Sequence, residues 1–209
     1  KNHKNIIKKQ TNKKFKKICK KMKNFVSKFT ISCILLLGII QAKNYVANLP
    51  GGGSVKFMCE STCKVTVDSN SGWADPPNSY HIHQIRLAAG ESQTTDCGKL
   101  GGHFDPLGAA SNANYNTECE PSKTDKWTKC EIGDLSGKYG KIDTSVKKYE
   151  NIEDSTLVTS GANSFVNRSI VVHSSVGGAR ILCANIEEFG SMLVINSLLM
   201  LFLGFYLLL

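Results

Sequence analysis

Histidine is scarce in this chain, five residues in 209, so two of them flanking one isoleucine in "SYHIHQIRL" (79–87) call for a chemical reason. Acid is missing altogether from residues 1–28, which hold 12 of the 26 basic side chains. The remaining 14 face 17 acids, so the formal charge of +9 belongs to the leader and the body is mildly acidic. A basic face for phosphate contacts would have to lie on the folded part, and none is expected there; nucleic acid is not expected as a partner. No C-x2-C pair is present, which removes the usual frame of a cysteine-ligated zinc site. No convincing amphipathic helix can be picked out either, which turns the reading away from helical architectures.

What is there begins with two apolar ends. The leader runs into "NFVSKFTISCILLLGIIQA", of about the length of a signal-peptide core and closing on the small residue Ala42. Met22 suits an initiator, so 22–42 reads as a secretory signal. Residues 1–21 then read as a basic extension or an upstream region translated by mistake. The alternative is a membrane-anchored basic tail, for which the apolar run is short. At the other end, 192–209 is 18 residues without a charge. With the small residues Gly190 and Ser191 before it, 189–209 fits a glycosylphosphatidylinositol attachment signal, although the polar spacer is missing. A retained tail anchor is the alternative. Both readings place the domain between, 43–188, on an outer surface and attach it to a membrane through a lipid or the tail.

Secretion changes what cysteine means. Cys59, Cys63, Cys97, Cys119, Cys130 and Cys183 follow the leader, and an even number in an oxidising compartment suggests disulfides, in one of 15 pairings. Between them stand "NYVANL", "SVKFMCE", "CKVTVDS", "SYHIHQI", "YGKIDT", "STLVTS" and "RSIVVHS", short segments rich in β-branched and aromatic residues and separated by Gly, Pro, Asn and Ser clusters. They predict an all-β domain, a Greek-key barrel or sandwich. Two irregular stretches, 87–102 and 105–129, interrupt it. Trp73 and Trp127 read as packing residues.

On a strand, residues i and i+2 share a face, so His81 and His83 project together while Ile82 faces the core. His103 in "GGHFDP" and His173 at the end of "SIVVH" complete four imidazoles without a cysteine, a donor set suited to copper or zinc. Taken alone, H-x-H is more often a pair of ordinary hydrogen-bonding histidines. Its company decides otherwise. "YHIHQI", "DCGKLGGHFDP", "EIGDLSGKYGKI", "RSIVVHS" and "ARILCANI" follow in this order and together resemble the Cu/Zn superoxide dismutase family over roughly 43–188.

The resemblance implies a Greek-key β-barrel with one copper ion on His81, His83, His103 and His173, and a disulfide joining Cys97 to Cys183. It implies that Arg180 attracts and orients superoxide, that His103 passes on a proton, and that Arg168 clamps the disulfide loop. The activity implied is dismutation of superoxide to oxygen and hydrogen peroxide by cycling Cu(II)/Cu(I). No histidine stands between Phe104 and Gly133, so both further zinc histidines of the family are lost, and Glu131 occupies the place of one of them with Asp134 beyond it. Only "SSVGGA" separates His173 from Arg180, too short for the family's electrostatic loop. These departures resemble the copper-only, surface-attached branch, in which no zinc is expected. A carboxylate is a common orienter of a metal-bound imidazole. Glu131 is therefore expected to hold His103 and share in catalysis, with Asp134 as reinforcement. A copper-binding surface protein with little turnover, or an adhesive barrel, are the competing classes.

By proximity, Cys119 is expected to pair with Cys130, where a disulfide could replace the ordering zinc provides; a new metal site of Cys119, Cys130 and Asp134 is the alternative, which secretion disfavours. Cys59 and Cys63 pair only if "EST" is a tight hairpin turn. Asn167 opens the glycosylation sequon "NRS", but an Arg168 buried against the loop would leave Asn167 too confined for modification.

Overall fold

The computed structural model describes residues 41–193 and, from the leader, Lys16, Lys17, Lys20, Lys21 and Lys23. The apolar segments expected as signal and anchor lie outside the described residues, save where they border the sheet. The strands are β1 (Gln41–Asn48), β2 (Ser54–Cys59), β3 (Cys63–Asp68), β4 (Ser79–His83), β5 (Lys148–Asp154), β6 (Ser169–His173), β7 (Arg180–Asn185) and β8 (Glu187–Leu193). One sheet has the order β5-β3-β2-β1-β8 and the other β4-β6-β7. After the β1–β3 meander the chain crosses to the second sheet for β4, returns for β5, crosses again for β6 and β7, and returns for β8. The result is the all-β sandwich anticipated from the segment pattern.

Alternation explains the first sheet. Val55, Phe57 and Cys59 of β2 and Cys63, Val65 and Val67 of β3 are buried, with exposed or half-buried residues between them, the period-2 pattern of a sheet with one face on the core. Phe165 sits between Tyr45 and Phe57, with ring centroids 5.4 Å and 4.7 Å away. Strand β6 does not alternate, because both its faces are covered. Ile170 and Val172 join the main core, whereas Val171 packs with Leu87, Cys97, Leu100 and Cys183.

Two segments expected as strands are not. In "YGKIDT", Tyr139 closes a short helix and Ile142 makes only one bridge, to Asn78; in "STLVTS", Val158 bridges Ser164 alone. Conversely, "KYENIED" forms β5 although it is mostly charged, because it is an edge strand, where charge protects the unpaired rim. Three short helices follow β4 in the chain: α1 (Tyr115–Glu118), α2 (Lys126–Lys129) and α3 (Leu135–Tyr139). The sheet reaches into both flanks of the expected 43–188 domain, since β1 begins at Gln41 and β8 runs to Leu193.

Candidate metal centre

Strand register assembles the centre. His81 and His83 share a face of β4 while Tyr80 and Ile82 enter the core. β4 pairs with β6 so that Ser79 faces His173, and His83 bridges His103. All four sequence-predicted histidines come together: one nitrogen from each ring lies within 4.8 Å of the others. The rings of His81 and His103 stack at 3.9 Å, and those of His83 and His173 at 5.5 Å.

Each ring has its second nitrogen on an acceptor. His83 Nδ1 lies 3.1 Å from the Gly101 carbonyl, His173 Nδ1 2.9 Å from the Gly178 carbonyl, and His103 Nδ1 2.7 Å from Glu131 Oε2. His81 uses its other edge, with Nε2 3.4 Å from Asp134 Oδ1. An N–H directed at each acceptor leaves the opposite nitrogen with its lone pair, and these lone pairs are His81 Nδ1 and Nε2 of His83, His103 and His173. Burial pushes His83 down to about 3 and His173 down to about 4, and it lowers His81 against the pull of Asp134. His103 alone is raised, chiefly by the Glu131 hydrogen bond.

Both acids are buried, and the half-buried Tyr115 bonds to both segments. Its hydroxyl donates to Asp134 Oδ2 at 2.7 Å and accepts the Glu131 N–H at 3.3 Å. Asp134 also caps α3 through the Gly137 N–H at 2.7 Å and takes the Ser136 hydroxyl at 3.1 Å. Tyr115 and Ser136 are the functional residues the sequence did not reveal; Tyr115 lies in the polar run "SNANYNTE", where no spacing singles it out.

Of three disulfides among the described residues, two adjoin the centre. Cys119–Cys130 closes the segment that follows the Tyr115 helix, and the Cys119 sulfur lies 3.4 Å from Asp134 Oδ2. Cys59–Cys63 spans a hairpin in which the two residues are register partners. Cys97–Cys183 ties the loop after β4 to β7. That loop is clamped by Arg180, whose guanidinium donates to the carbonyls of Cys97, Gly98 and Gly101. Arg168, expected in this role, serves another: it donates to the carbonyls of Ser164 and Gln84, and its guanidinium covers the Phe104 ring at 3.6 Å. The cause is register, because Arg168 precedes β6 at the end paired with His83, whereas Arg180 opens β7 opposite His173.

A two-sheet sandwich whose strands converge four carboxylate- and carbonyl-backed imidazoles belongs to the class of β proteins built around a histidine cluster. Within that class, the copper/zinc superoxide dismutase (SODC) family matches residues 52–186, and the chain belongs to that family. The cell surface superoxide dismutase [Cu-Zn] 6 of Candida albicans is 31% identical over 112 residues, covering 54% of this chain and 32% of that protein. The cell surface Cu-only superoxide dismutase of Arthroderma benhamiae is 36% identical over 112 residues, 51% of this chain and 27% of that protein. For the Cu-only enzyme 5 of C. albicans, identity is 29% over 138 residues, 64% of this chain and 54% of that protein. The chain thus spans between about a quarter and about half of the length of these relatives. The solved structure of C. albicans superoxide dismutase 5, E110A mutant, covers 72% of this chain and 98% of its own, with a TM-score of 0.53 at 23% identity, and shares the fold.

Proposed function

We propose that this protein is an extracellular, copper-only superoxide dismutase held at the cell surface. The observation that carries the reading is His81 Nδ1, a buried ring nitrogen without a hydrogen-bond partner among the described residues, in a cluster where Nε2 of His83, His103 and His173 converge with it and those of His83 and His173 lie 3.4 Å apart. A buried polar atom left unpaired is costly unless something fills its lone pair, and four neutral imidazoles fit copper in either oxidation state. His81, His83, His103 and His173 would hold the ion. When bound, copper would supply the one-electron exchange that turns two superoxide anions and two protons into oxygen and hydrogen peroxide.

The chain's own residues do the rest. Arg180 brings a fixed positive charge beside the cluster, where it favours approach of a small anion; its three carbonyl partners keep the guanidinium in place. His103 is the imidazole suited to carry a proton at Nε2, since Glu131 favours its protonated form. Glu131 also supports the reading of one metal only, because it takes the His103 nitrogen a second cation would need. The relatives named Cu-only fit that chemistry.

Location rests on three disulfides, which form in oxidising compartments, on the relatives named as cell surface proteins, and on the end segments: a signal over 22–42, with 1–21 ahead of its Met22, and an anchor signal over 189–209. Gly190 lies in edge strand β8, from which chain can be removed without opening a buried strand.

The test is superoxide consumption by copper-reconstituted protein beside an Arg180→Ala variant of equal copper content. Rapid consumption that falls in the variant is expected. Copper retained without turnover would favour the storage reading, and stoichiometric zinc in metal analysis would overturn the single-metal reading. Mass spectrometry of the mature termini checks both end signals.

A further inference from the structure

Asn167-Arg168-Ser169 is the only N-x-S/T sequon in the chain, and the geometry points to its use: we propose that Asn167 carries an N-linked glycan, added before β6 closes. This rests on the reading of the chain as secreted. The condition under which Arg168 would confine Asn167, burial against the disulfide loop, is not met. The Arg168 guanidinium lies over Phe104 and donates to Ser164 and Gln84, while the neighbouring Asn167 is exposed. Asn167 sits at φ 64°, a left-handed position that asparagine tolerates better than most residues, and this turn delivers the chain into β6.

Its amide is divided in a way that suits attachment. Oδ1 accepts from Arg86 Nη1 at 3.4 Å, and Nδ2 makes no hydrogen bond among the described residues. In the transfer, Nδ2 displaces the diphosphate from C1 of a polyprenyl-diphosphate-linked oligosaccharide. The N–C1 bond forms, the C1–O bond breaks, an amide proton is lost, and the polyprenyl diphosphate leaves. The product keeps Oδ1 free for Arg86 and one N–H on the linkage, so a sugar there breaks no contact of the fold.

The third sequon residue sets the timing. Ser169 is fully buried and donates its hydroxyl to Asn185 Oδ1 at 2.8 Å, and β6 is the central strand of its sheet, paired on one side with β4 and on the other with β7. A transferase that must grip the serine can do so only while β7, the later strand, is still unpaired. The finished fold is therefore no substrate.

The full chain, and an Asn167→Gln variant, would be produced in a eukaryotic secretory host, each also with a cleavable foreign signal fused ahead of residue 1. The expected result is a mass increment removed by peptide N-glycanase, which leaves aspartate at 167, and its absence from the variant. An unmodified Asn167 in protein delivered by the foreign signal, with its disulfides formed, overturns the proposal. Modification with the foreign signal alone supports the glycan and instead overturns the secretory reading of the chain's own leader. Refolded protein offered to detergent-solubilised microsomes should stay unmodified; modification there as efficient as during synthesis overturns the proposed timing.

Discussion

At Glu131 one carboxylate does two jobs: it accepts from His103 Nδ1 at 2.7 Å, which fixes the ring's tautomer, and it occupies the ring nitrogen that a second cation would need. Removing it in Glu131→Ala leaves His103 free to turn, and loss of such an outer partner weakens metal affinity by roughly 10–100-fold. Competition titration with a copper chelator should show that drop, and unchanged affinity would mean that His103 is held by its stacking on His81. Tyr115 acts one step further out. Tyr115→Phe removes the donor to a buried carboxylate and the acceptor of the Glu131 N–H, at a cost of about 1–3 kcal/mol, readable as a lower denaturant midpoint at unchanged slope. Strand and loop context singled out the four histidines as candidates, but their joint use and that of Glu131 were legible only through the resemblance to the superoxide dismutase family. Tyr115 was not, since its use depends on a loop path from Phe104 to Glu131 that no local pattern fixes. Arg168 and Arg180 show the same limit: the resemblance singled out Arg180 for the anion and Arg168 for a structural clamp, but which one holds the disulfide loop depends on strand register.

Among the elements, the closest link runs through backbone alone. Ile82 donates to the Gly133 carbonyl, Gly133 to that of Phe104, and Phe104 to that of Ile82, each at 2.8 Å. These three residues stand between His81 and His83, after His103, and between Glu131 and Asp134, so one ring of hydrogen bonds sets the spacing of ligands and acids together. It closes only at a glycine: a Cβ on Gly133 would lie 2.6 Å from the Ile82 carbonyl oxygen and 3.0 Å from that of Phe104. Gly133→Ala should therefore cost about 1–3 kcal/mol by overpacking and weaken copper binding as Glu131 moves off His103. Thermal unfolding with and without copper checks both effects; a variant that loses stability yet binds copper normally would detach the acids from the ligand geometry. Strands were legible where burial is one-sided or complete, as in β2, β3, β4 and β6. They were not legible in β5, whose edge position replaces hydrophobic alternation with charge, nor in the turns of "YGKIDT" and "STLVTS", where short apolar runs serve the core without a partner strand.

Across the whole molecule, one buried ion pair joins the acid-bearing segment to the edge of the large sheet. Lys138 of α3 is fully buried; its Nζ donates to Asp154 Oδ2 of β5 at 2.6 Å and to the Ile132 carbonyl at 2.9 Å. Burial pushes the Asp154 carboxyl up, but the Lys138 ammonium, with hydrogen bonds from Thr156 and Tyr139, outweighs it and holds Asp154 below the usual aspartate range. A carboxylate depressed in the folded state lends stability that is complete above its unfolded pKa, about 3.9, and is lost as pH falls through the lower folded value. The share of stability that this pair supplies should thus be lost only below about pH 4, as β5 is released from α3, after the earlier loss that sets in below about pH 6.5 because His83 and His173 resist protonation in the folded state. Asp154→Asn keeps the shape but strands Lys138 as an uncompensated buried charge, a loss of about 3–5 kcal/mol at neutral pH. Denaturant titrations from pH 7 downward should show wild type well above the variant at neutral pH, with the gap closing below pH 4 as Asp154 takes up its proton. A gap that persists unchanged through that window would mean that the pair contributes shape and not charge, and that acid sensitivity originates elsewhere in the molecule.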